Sequence, residues 1–155
     1  MSDLVVYVLV RNDLPSMNPG KAMSQVHHAG VQMLSKYSTY PLVTDYIADG
    51  VRQGADHFNT TLVLGANLCQ IYNTRIAAES SGYAYGIVSD PSYPFIVPDQ
   101  ELADLIPQDD DVKVIKVLGD GRVLMVRPET TVAWFLGDRD DPEFCDMFTE
   151  FSLHP

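Results

Sequence analysis

The chain has 155 residues, of which 46% are hydrophobic and 20% charged, a composition typical of one globular domain and unlike that of a disordered segment. Ten Lys and Arg stand against 21 Asp and Glu, a net charge of −11 that argues against a generic nucleic-acid binder with a basic surface. No apolar run approaches the roughly 20 residues that cross a bilayer, and the start lacks the pattern of a signal peptide. We therefore expect a cytoplasmic protein with reduced thiols at Cys69 and Cys145.

The charge is unevenly distributed along the chain. Residues 1–98 hold seven acids and five bases, a net of −2, whereas residues 99–155 hold fourteen acids and five bases, a net of −9. We expect the first two thirds of the chain to meet any anionic substrate, because like charges repel.

Strands and helices are predicted to alternate over the first part of the chain. In chain order they are a strand at Leu4–Val10, a helix at Lys21–Lys36, a weaker helix at Thr39–Asp56, a strand at Thr60–Leu64, a helix at Ala66–Ser81 ended by Gly82, and a strand at Tyr83–Val88. The first strand is apolar at both parities, which predicts a strand covered on both faces. This order is typical of an α/β sheet with helices packed on it.

The pattern changes after Asp90. Residues 89–100 contain three prolines and are predicted to be a loop, followed by one or two helical turns at Gln100–Ile106. Strands at Lys113–Leu118 and Arg122–Arg127 flank Gly119-Asp120-Gly121, a hairpin signal. A last strand at Thr131–Leu136 is either continuous with Arg122–Arg127 or separated from it at Pro128, and the phenylalanines of the acidic tail are expected to pack rather than to bind RNA.

These elements predict a three-layer α/β/α fold with a mixed, mostly parallel four-stranded sheet and an inserted β-hairpin. We expect a single domain over residues 1–155, with an insertion at 99–125 and an acidic C-terminal extension at 138–155.

One face of the first long helix carries a row of polar side chains. At about 100° per residue, Lys21, Gln25 and His28 fall within about 60° of one another, while Ala22, Val26, Ala29 and Met33 form a separate stripe suited to packing on a sheet. A helix N-terminus favours anions, and the Lys21 ammonium adds a point charge there. The row could therefore hold a phosphate or the oxyanion of an acyl-transfer reaction, although an ordinary solvated helix flank has the same pattern.

The sequence lacks the common motifs for nucleotide binding, serine hydrolysis and metal binding. The sequence has no phosphate-binding glycine loop and no GxSxG nucleophile elbow. His27 and His28 are adjacent and point to different helix faces, and His57 is isolated, so we predict no metal site.

The sequence resembles the type II peptidyl-tRNA hydrolase family, the archaeal and eukaryotic kind, as a divergent acidic member. The loop Val10-Arg11-Asn12-Asp13-Leu14 is similar to the family's V-R-x-D-L loop, and Gly20-Lys21, Gln25 and His28-Ala29 match its G-K-x-x-x-Q-x-x-H-A helix. The strand ending at Asp90 resembles the family strand that closes on an Asp-Ala-Gly-Arg-Thr loop, although here Pro91-Ser92-Tyr93 follow. Pro128-Glu129-Thr130 with Gly137 resembles the family's Pro-Gly-Ser/Thr segment. The resemblance covers residues 4 to about 98 and 126 to 137.

The resemblance implies a metal-independent, cofactor-free enzyme that hydrolyses the ester between a peptidyl, or N-blocked aminoacyl, group and tRNA, and so recycles tRNA in translation. It implies catalytic roles for Lys21, Asp90, His28 and Thr130. Lys21 would donate to the oxyanion or a phosphate, Asp90 would orient or deprotonate the water, and Thr130 would hold the ester or water.

The resemblance further implies substrate-binding roles for Arg11, Asn12, Gln25 and Ser92. Arg11 would contact the tRNA backbone, and Gln25 with His28 would position Lys21 or the terminal adenosine. A homodimer is implied as well. Asp90 before Pro91 could instead simply initiate a turn, and Thr130 could be an ordinary strand hydroxyl.

Two further functions stay open. One is a catalytically weak or inactive relative that binds tRNA or a protein partner, the latter through the acidic C-terminal third. The other is a hydrolase of the same fold that acts on another small ester or amide.

Overall fold

The computed structural model describes residues 3–52, 59–98 and 111–155. Its elements in chain order are β1 (Leu4–Arg11), α1 (Pro19–Lys36), α2 (Pro41–Arg52), β2 (Thr60–Ala66), α3 (Leu68–Ser81), β3 (Ala84–Pro98), β4 (Lys113–Val117), β5 (Arg122–Asp138) and α4 (Pro142–Asp146). The predicted turns at Gln100–Ile106 and the isolated His57 lie outside the described residues. None of the described helices is long and apolar enough to cross a membrane.

Local signals in the sequence set the ends of the main helices. Asn18 caps α1 by accepting a hydrogen bond from the backbone N–H of Lys21, and Pro19 occupies the first turn, where its missing N–H costs nothing. Asn67 and Gln70 form a capping box at the start of α3, and Gly82 ends that helix in the left-handed conformation at φ 76°. Only glycine adopts that conformation at low cost.

The chain falls into two compact units, of which the larger comprises Met1–Val88 and Thr131–Pro155. In this unit β1 pairs parallel with β2 and antiparallel with β5, so the sheet is mixed. Alternate residues of β1 enter two cores: Val6 and Val8 join α1 and α2 on one face, and Val5 and Leu9 join α3 and α4 on the other. Burial of both faces of β1 confirms the predicted three-layer arrangement.

The smaller unit comprises Ser89–Thr130. Here β4 and the start of β5 form an antiparallel hairpin with Gly121 at φ 80° in the turn, which confirms the predicted hairpin. Val97, Val123 and Met125 form its core, and the Arg127 guanidinium lies 4.9 Å from the centre of the Phe95 ring.

Three expectations about strands need correction. The sheet has five strands rather than four: β2, β1, β5 and β3 lie side by side in that order, and β4 also pairs with β5. The sheet is mixed as predicted but not mostly parallel, since β1 pairs parallel with β2 whereas the pairs β1–β5 and β4–β5 are antiparallel. Residues 89–98 are not a loop, since β3 continues through the prolines to Pro98. β3 is the last strand in the sheet order, and proline is tolerated in an edge strand because one side of the strand needs no N–H donor. The open question about Pro128 is settled as well, because β5 runs unbroken from Arg122 to Asp138.

The acidic C-terminal segment is anchored by aromatic packing, as expected. Phe144 and Phe148 are buried in the α3-side core, and the ring of Phe148 stacks on that of Tyr7 at 4.1 Å. The hydroxyl of Tyr83 donates to the carboxylate of Asp141 at 2.7 Å, a bond that raises the pKa of Tyr83 to about 12 and lowers that of Asp141. The thiols of Cys69 and Cys145 are both free, as predicted.

A substitution at Gly86 tests how closely β3 packs against α1. A Cβ at this position would collide with Trp134 Nε1 and Gln32 Oε1. We expect Gly86→Ala to lower the free energy of unfolding by about 1–3 kcal/mol, the usual cost of overpacking, measured by urea denaturation. Gly30→Ala is the matched control, because its Cβ would meet nothing within 4 Å and alanine favours a helix. Equal stability of Gly86→Ala and wild type would contradict this packing.

Candidate functional site at the start of helix α1

The predicted row lies on one face of α1, but its three members differ in burial. Lys21 is half-buried, Gln25 is buried and His28 is exposed. The predicted packing stripe is confirmed, since Ala22, Ala29 and Met33 are buried in the core and the partly buried Val26 packs against it. Gln25 faces the sheet rather than the solvent, which sequence periodicity alone did not reveal because it lies at the border between the two faces.

Gln25 is held by Thr131, which was not among the predicted site residues. The hydroxyl of Thr131, on β5, donates to Gln25 Oε1 at 2.7 Å and lies 3.4 Å from the carbonyl oxygen of Val88. Thr131 is fully buried and Gln25 is 6% exposed. This hydrogen bond therefore joins α1 to the sheet in a dry environment, where breaking it would leave polar atoms unsatisfied.

A second glutamine of α1 makes an equivalent connection two turns later. Gln32 Nε2 donates to the carbonyl oxygen of Ile87 at 2.8 Å, and Gln32 Oε1 accepts from Trp134 Nε1 at 2.9 Å. Gln25 and Gln32 are seven residues apart and so share one helix face. That spacing is the sequence signal that could have found Gln32.

Arg11, at the end of β1, is 5% exposed and is directed at Asp13. The Nε–H of Arg11 donates to Asp13 Oδ1 at 2.5 Å, and its Nη2–H donates to Asp13 Oδ2 at 3.2 Å. This is a bidentate pairing of arginine with a carboxylate. Burial raises the pKa of Asp13, but the hydrogen bonds and charge of Arg11, helped by the backbone of Leu68, outweigh it and hold that pKa below its ordinary value. Asn12 is exposed, and its backbone N–H donates to the carbonyl oxygen of Ala66 at 2.9 Å.

The remaining predicted site residues belong to the smaller unit. Asp90 is half-buried on β3, and its Oδ1 accepts from the backbone N–H of Ser92 at 2.9 Å and lies 3.4 Å from the Ser92 hydroxyl. The hydroxyls of Thr130 and Ser89 are 3.3 Å apart and hydrogen-bonded. Asp90 and Ser92 are thus brought together, as are Ser89 and Thr130. Ser89 was not among the predicted residues.

Charge around α1 differs from that of the rest of the chain. The helix contains no acidic residue, in a chain with 21 acids. Every arginine whose side chain is described forms an ion pair: Arg11 with Asp13, Arg75 with Glu79, Arg122 with Asp120, Arg127 with Glu129, and Arg139 with Asp3. A helix start without acidic residues and with a lysine in its first turn has the electrostatic character that favours an anion.

An apolar groove of about 480 Å³ lies along another side of α1, lined by Pro19, Ala22, Met23, Val26, His27, Val63, His154 and Pro155. Met23 and Val26 point about 140° or more away from Lys21 around the helix. Its apolar lining offers little to a phosphate or an oxyanion, so the chemistry of the site falls to the Lys21 row rather than to the groove.

The larger unit thus combines a mixed α/β sheet with a capped helix start that bears Lys21 and has no acidic residue in its first turn. The family model for peptidyl-tRNA hydrolase PTH2 matches residues 4–116, and the chain belongs to that family. This confirms the resemblance found in the sequence. The match includes the loop at Arg11 and all of α1.

The chain was also compared with curated proteins and with solved structures. No curated protein matches the chain. A solved structure of a protein of unknown function from Agrobacterium tumefaciens strain C58 is similar with a TM-score of 0.46 and 9% sequence identity, over 100% of both chains.

Acid pH tests the pairing of Arg11 with Asp13. Because the pKa of Asp13 is lowered on folding, its stabilising effect is complete above the unfolded-state pKa of about 3.9 and is lost as the pH falls through the folded-state value. We expect the difference in Tm between wild type and Asp13→Asn to be largest near neutral pH and to shrink below about pH 4.

Asp45→Asn is the control, since Asp45 is exposed on α2 and forms no ion pair among the described residues. Its Tm should differ little from that of wild type across the same pH range. A gap for Asp13→Asn that stays constant from neutral to acid pH would show that the Asp13 charge does not stabilise the fold.

Proposed function

We propose that the chain hydrolyses the ester between a peptidyl, or N-blocked aminoacyl, group and tRNA, without a metal or other cofactor. Water adds to the ester carbonyl, the bond to the 3′ ribose oxygen breaks, and a carboxylic acid and free tRNA are released. The observation that carries the proposal is the family match over residues 4–116 together with the capped, acid-free start of α1 that presents Lys21.

Ester hydrolysis requires a positioned water, a proton acceptor and donors aimed at the developing oxyanion. In the proposal, the Lys21 ammonium donates to the oxyanion or to a nearby phosphate, and the Asp90 carboxylate orients or deprotonates the water. The Thr130 hydroxyl holds the ester or water, and His28, exposed one turn beyond Gln25, positions the terminal adenosine.

The substrate-binding part of the proposal is refined by the contacts in the larger unit. Asn12 is exposed and available to the substrate, whereas the buried Arg11 guanidinium holds Asp13. We propose that Arg11 supports tRNA binding indirectly, by holding Asp13 and so the loop before α1. Ser92 would contact the substrate beside Asp90. Gln25 is hydrogen-bonded to Thr131, and we propose that it serves the substrate indirectly, by positioning Lys21 on α1.

The wider context of the proposal rests on the family. Peptidyl-tRNA is a product of translation, which favours the expected cytoplasmic location, and the expected homodimer is proposed on the same ground. A protein partner would meet the acidic C-terminal third, which has a net charge of −9 over residues 99–155.

A second candidate function is a weakly active or inactive relative that binds tRNA or a protein. The Asp90 carboxylate favours it, because Oδ1 already accepts from the Ser92 backbone, as in a turn that needs no catalytic role. The two candidates differ in whether hydrolysis occurs at all.

A hydrolysis assay tests the proposal directly. Labelled N-acetyl-aminoacyl-tRNA is incubated with wild type, Lys21→Ala and Asp90→Ala, and release of the acyl group is timed. We expect release by wild type and a loss of about 10²- to 10³-fold in each variant, the usual effect of removing an oxyanion donor or a base.

Lys36→Ala and Asp45→Ala are the matched controls, since Lys36 is exposed in the last turn of α1 and Asp45 is exposed on α2. Both should keep wild-type rates. Folding is checked by circular dichroism. If folded wild-type protein releases no acyl group, the proposed hydrolysis is refuted and the second candidate, an inactive relative that binds tRNA or a protein, is favoured.

Salt dependence tests where tRNA binds. Each phosphate contact releases counterions, so affinity should fall as salt rises. We expect Lys21→Ala to reduce the slope of log affinity against log salt by about 1, measured by filter binding with non-hydrolysable aminoacyl-tRNA. Asn73→Ala, on the exposed side of α3, should leave the slope unchanged. Affinity that does not vary with salt would refute binding at this helix start.

A further inference from the structure

The contact between α1 and the sheet combines the small side chains of Ala22 and Ala29 with the buried side chain of Met33. A cavity of about 210 Å³ lies beside Ala29, lined by Val6, Val8, Val26, Ala29, Gly30, Met33, Thr61 and Trp134. The side chains that line this cavity have no packing partner on that side, so they oppose a shift of the helix less than a filled core would. Directional contacts elsewhere on α1 therefore contribute to its placement.

Directional contacts at two glutamines of α1 hold the helix in addition to packing. The Thr131 hydroxyl holds Gln25 at 2.7 Å, and the Ile87 carbonyl and Trp134 indole hold Gln32 at 2.8 and 2.9 Å. Sliding or rotating α1 would break these bonds at buried positions, where their loss is costly. The contact through Thr131 is the nearer of the two to the helix start.

We infer that Thr131 is a positioning residue, which sets the placement of the Lys21 ammonium through its hydrogen bond to Gln25. Gln25 lies one turn after Lys21 and about one turn before His28 on the same face of α1. A shift at Gln25 is therefore passed along the rigid helix to both side chains. This inference rests on the proposed function, because it assigns a role in the proposed hydrolysis.

The test compares two buried threonines. Thr131→Val keeps the shape of the side chain and removes its hydroxyl. Thr74→Val is the matched control, because the hydroxyl of the buried Thr74 donates to the Gln70 carbonyl at 2.9 Å within α3, on the other face of the sheet. We expect Thr131→Val to lower kcat for N-acetyl-aminoacyl-tRNA by about 10- to 100-fold with KM nearly unchanged, and Thr74→Val to keep the wild-type kcat.

Two further variants separate positioning from loss of structure. Thr131→Ser retains the hydroxyl and should restore most of kcat. In the background of Gln25→Met, the additional change Thr131→Val should have little further effect on kcat, because the partner is already gone. If the two changes multiply instead, Thr131 acts independently of Gln25 and the inference is overturned, as it is if Thr131→Val keeps the wild-type kcat.

A readout that needs no activity distinguishes this inference from the proposed function. Trp134 is the single tryptophan of the chain, so its indole N–H gives one NMR signal, and its partner is Gln32 on α1. We expect Thr131→Val to shift this signal and to speed its exchange with solvent, and Thr74→Val to leave it unchanged. An unmoved signal overturns the inference even if wild type is active. A moved signal with inactive wild type supports the role of Thr131 in placing α1 and rejects the proposed hydrolysis.

Discussion

Burial of β1 on both faces is the constraint on which the rest of the structure depends. Its alternate residues enter two separate cores, and its two edges pair with β2 and β5. A strand enclosed in this way must be covered by helices above and below, because every side chain needs an apolar neighbour. Side chains of β1 can reach a ligand only near the ends of the strand. At its C-terminal end lie Arg11, the loop to Asn18 and the start of α1. The candidate site therefore begins at the C-terminal end of the doubly buried strand.

The close approach of α1 has a consequence for chemistry. Small residues let the helix lie near the sheet. Gln25 and Gln32 add hydrogen bonds to β5 and β3 that fix its position further. A catalytic ammonium needs placement to a fraction of an ångström, so polar groups buried behind Lys21 are as much a part of a working site as the ammonium itself. The Thr131 hydroxyl would then matter through geometry rather than through contact with a substrate.

Charge is unevenly distributed over the described residues. The described arginine side chains are each matched to a nearby carboxylate, and α1 carries no acid. The acidic C-terminal segment is tied down by Phe144 and Phe148 in the core and by the bond from Tyr83 to Asp141. Its carboxylates thus belong to a packed part of the larger unit. The overall charge of −11 describes the chain and says little about the surface that a tRNA would meet.

The sequence by itself determined the elements whose signals are local: the doubly buried β1, the inner stripe of α1, the hairpin at Gly121, and the family. The start of α1 at Pro19, capped by Asn18, lies two residues before the predicted start at Lys21. Only the tertiary structure decided that β3 continues past Pro91, that Arg11 pairs with Asp13, and that Thr131 reaches Gln25. Local signals act over one or two helical turns or a strand's alternation. The contact of Gln25 with Thr131 joins residues 106 positions apart, and the tolerance of proline in β3 depends on the strand's place at the sheet edge, which no nearby residue encodes.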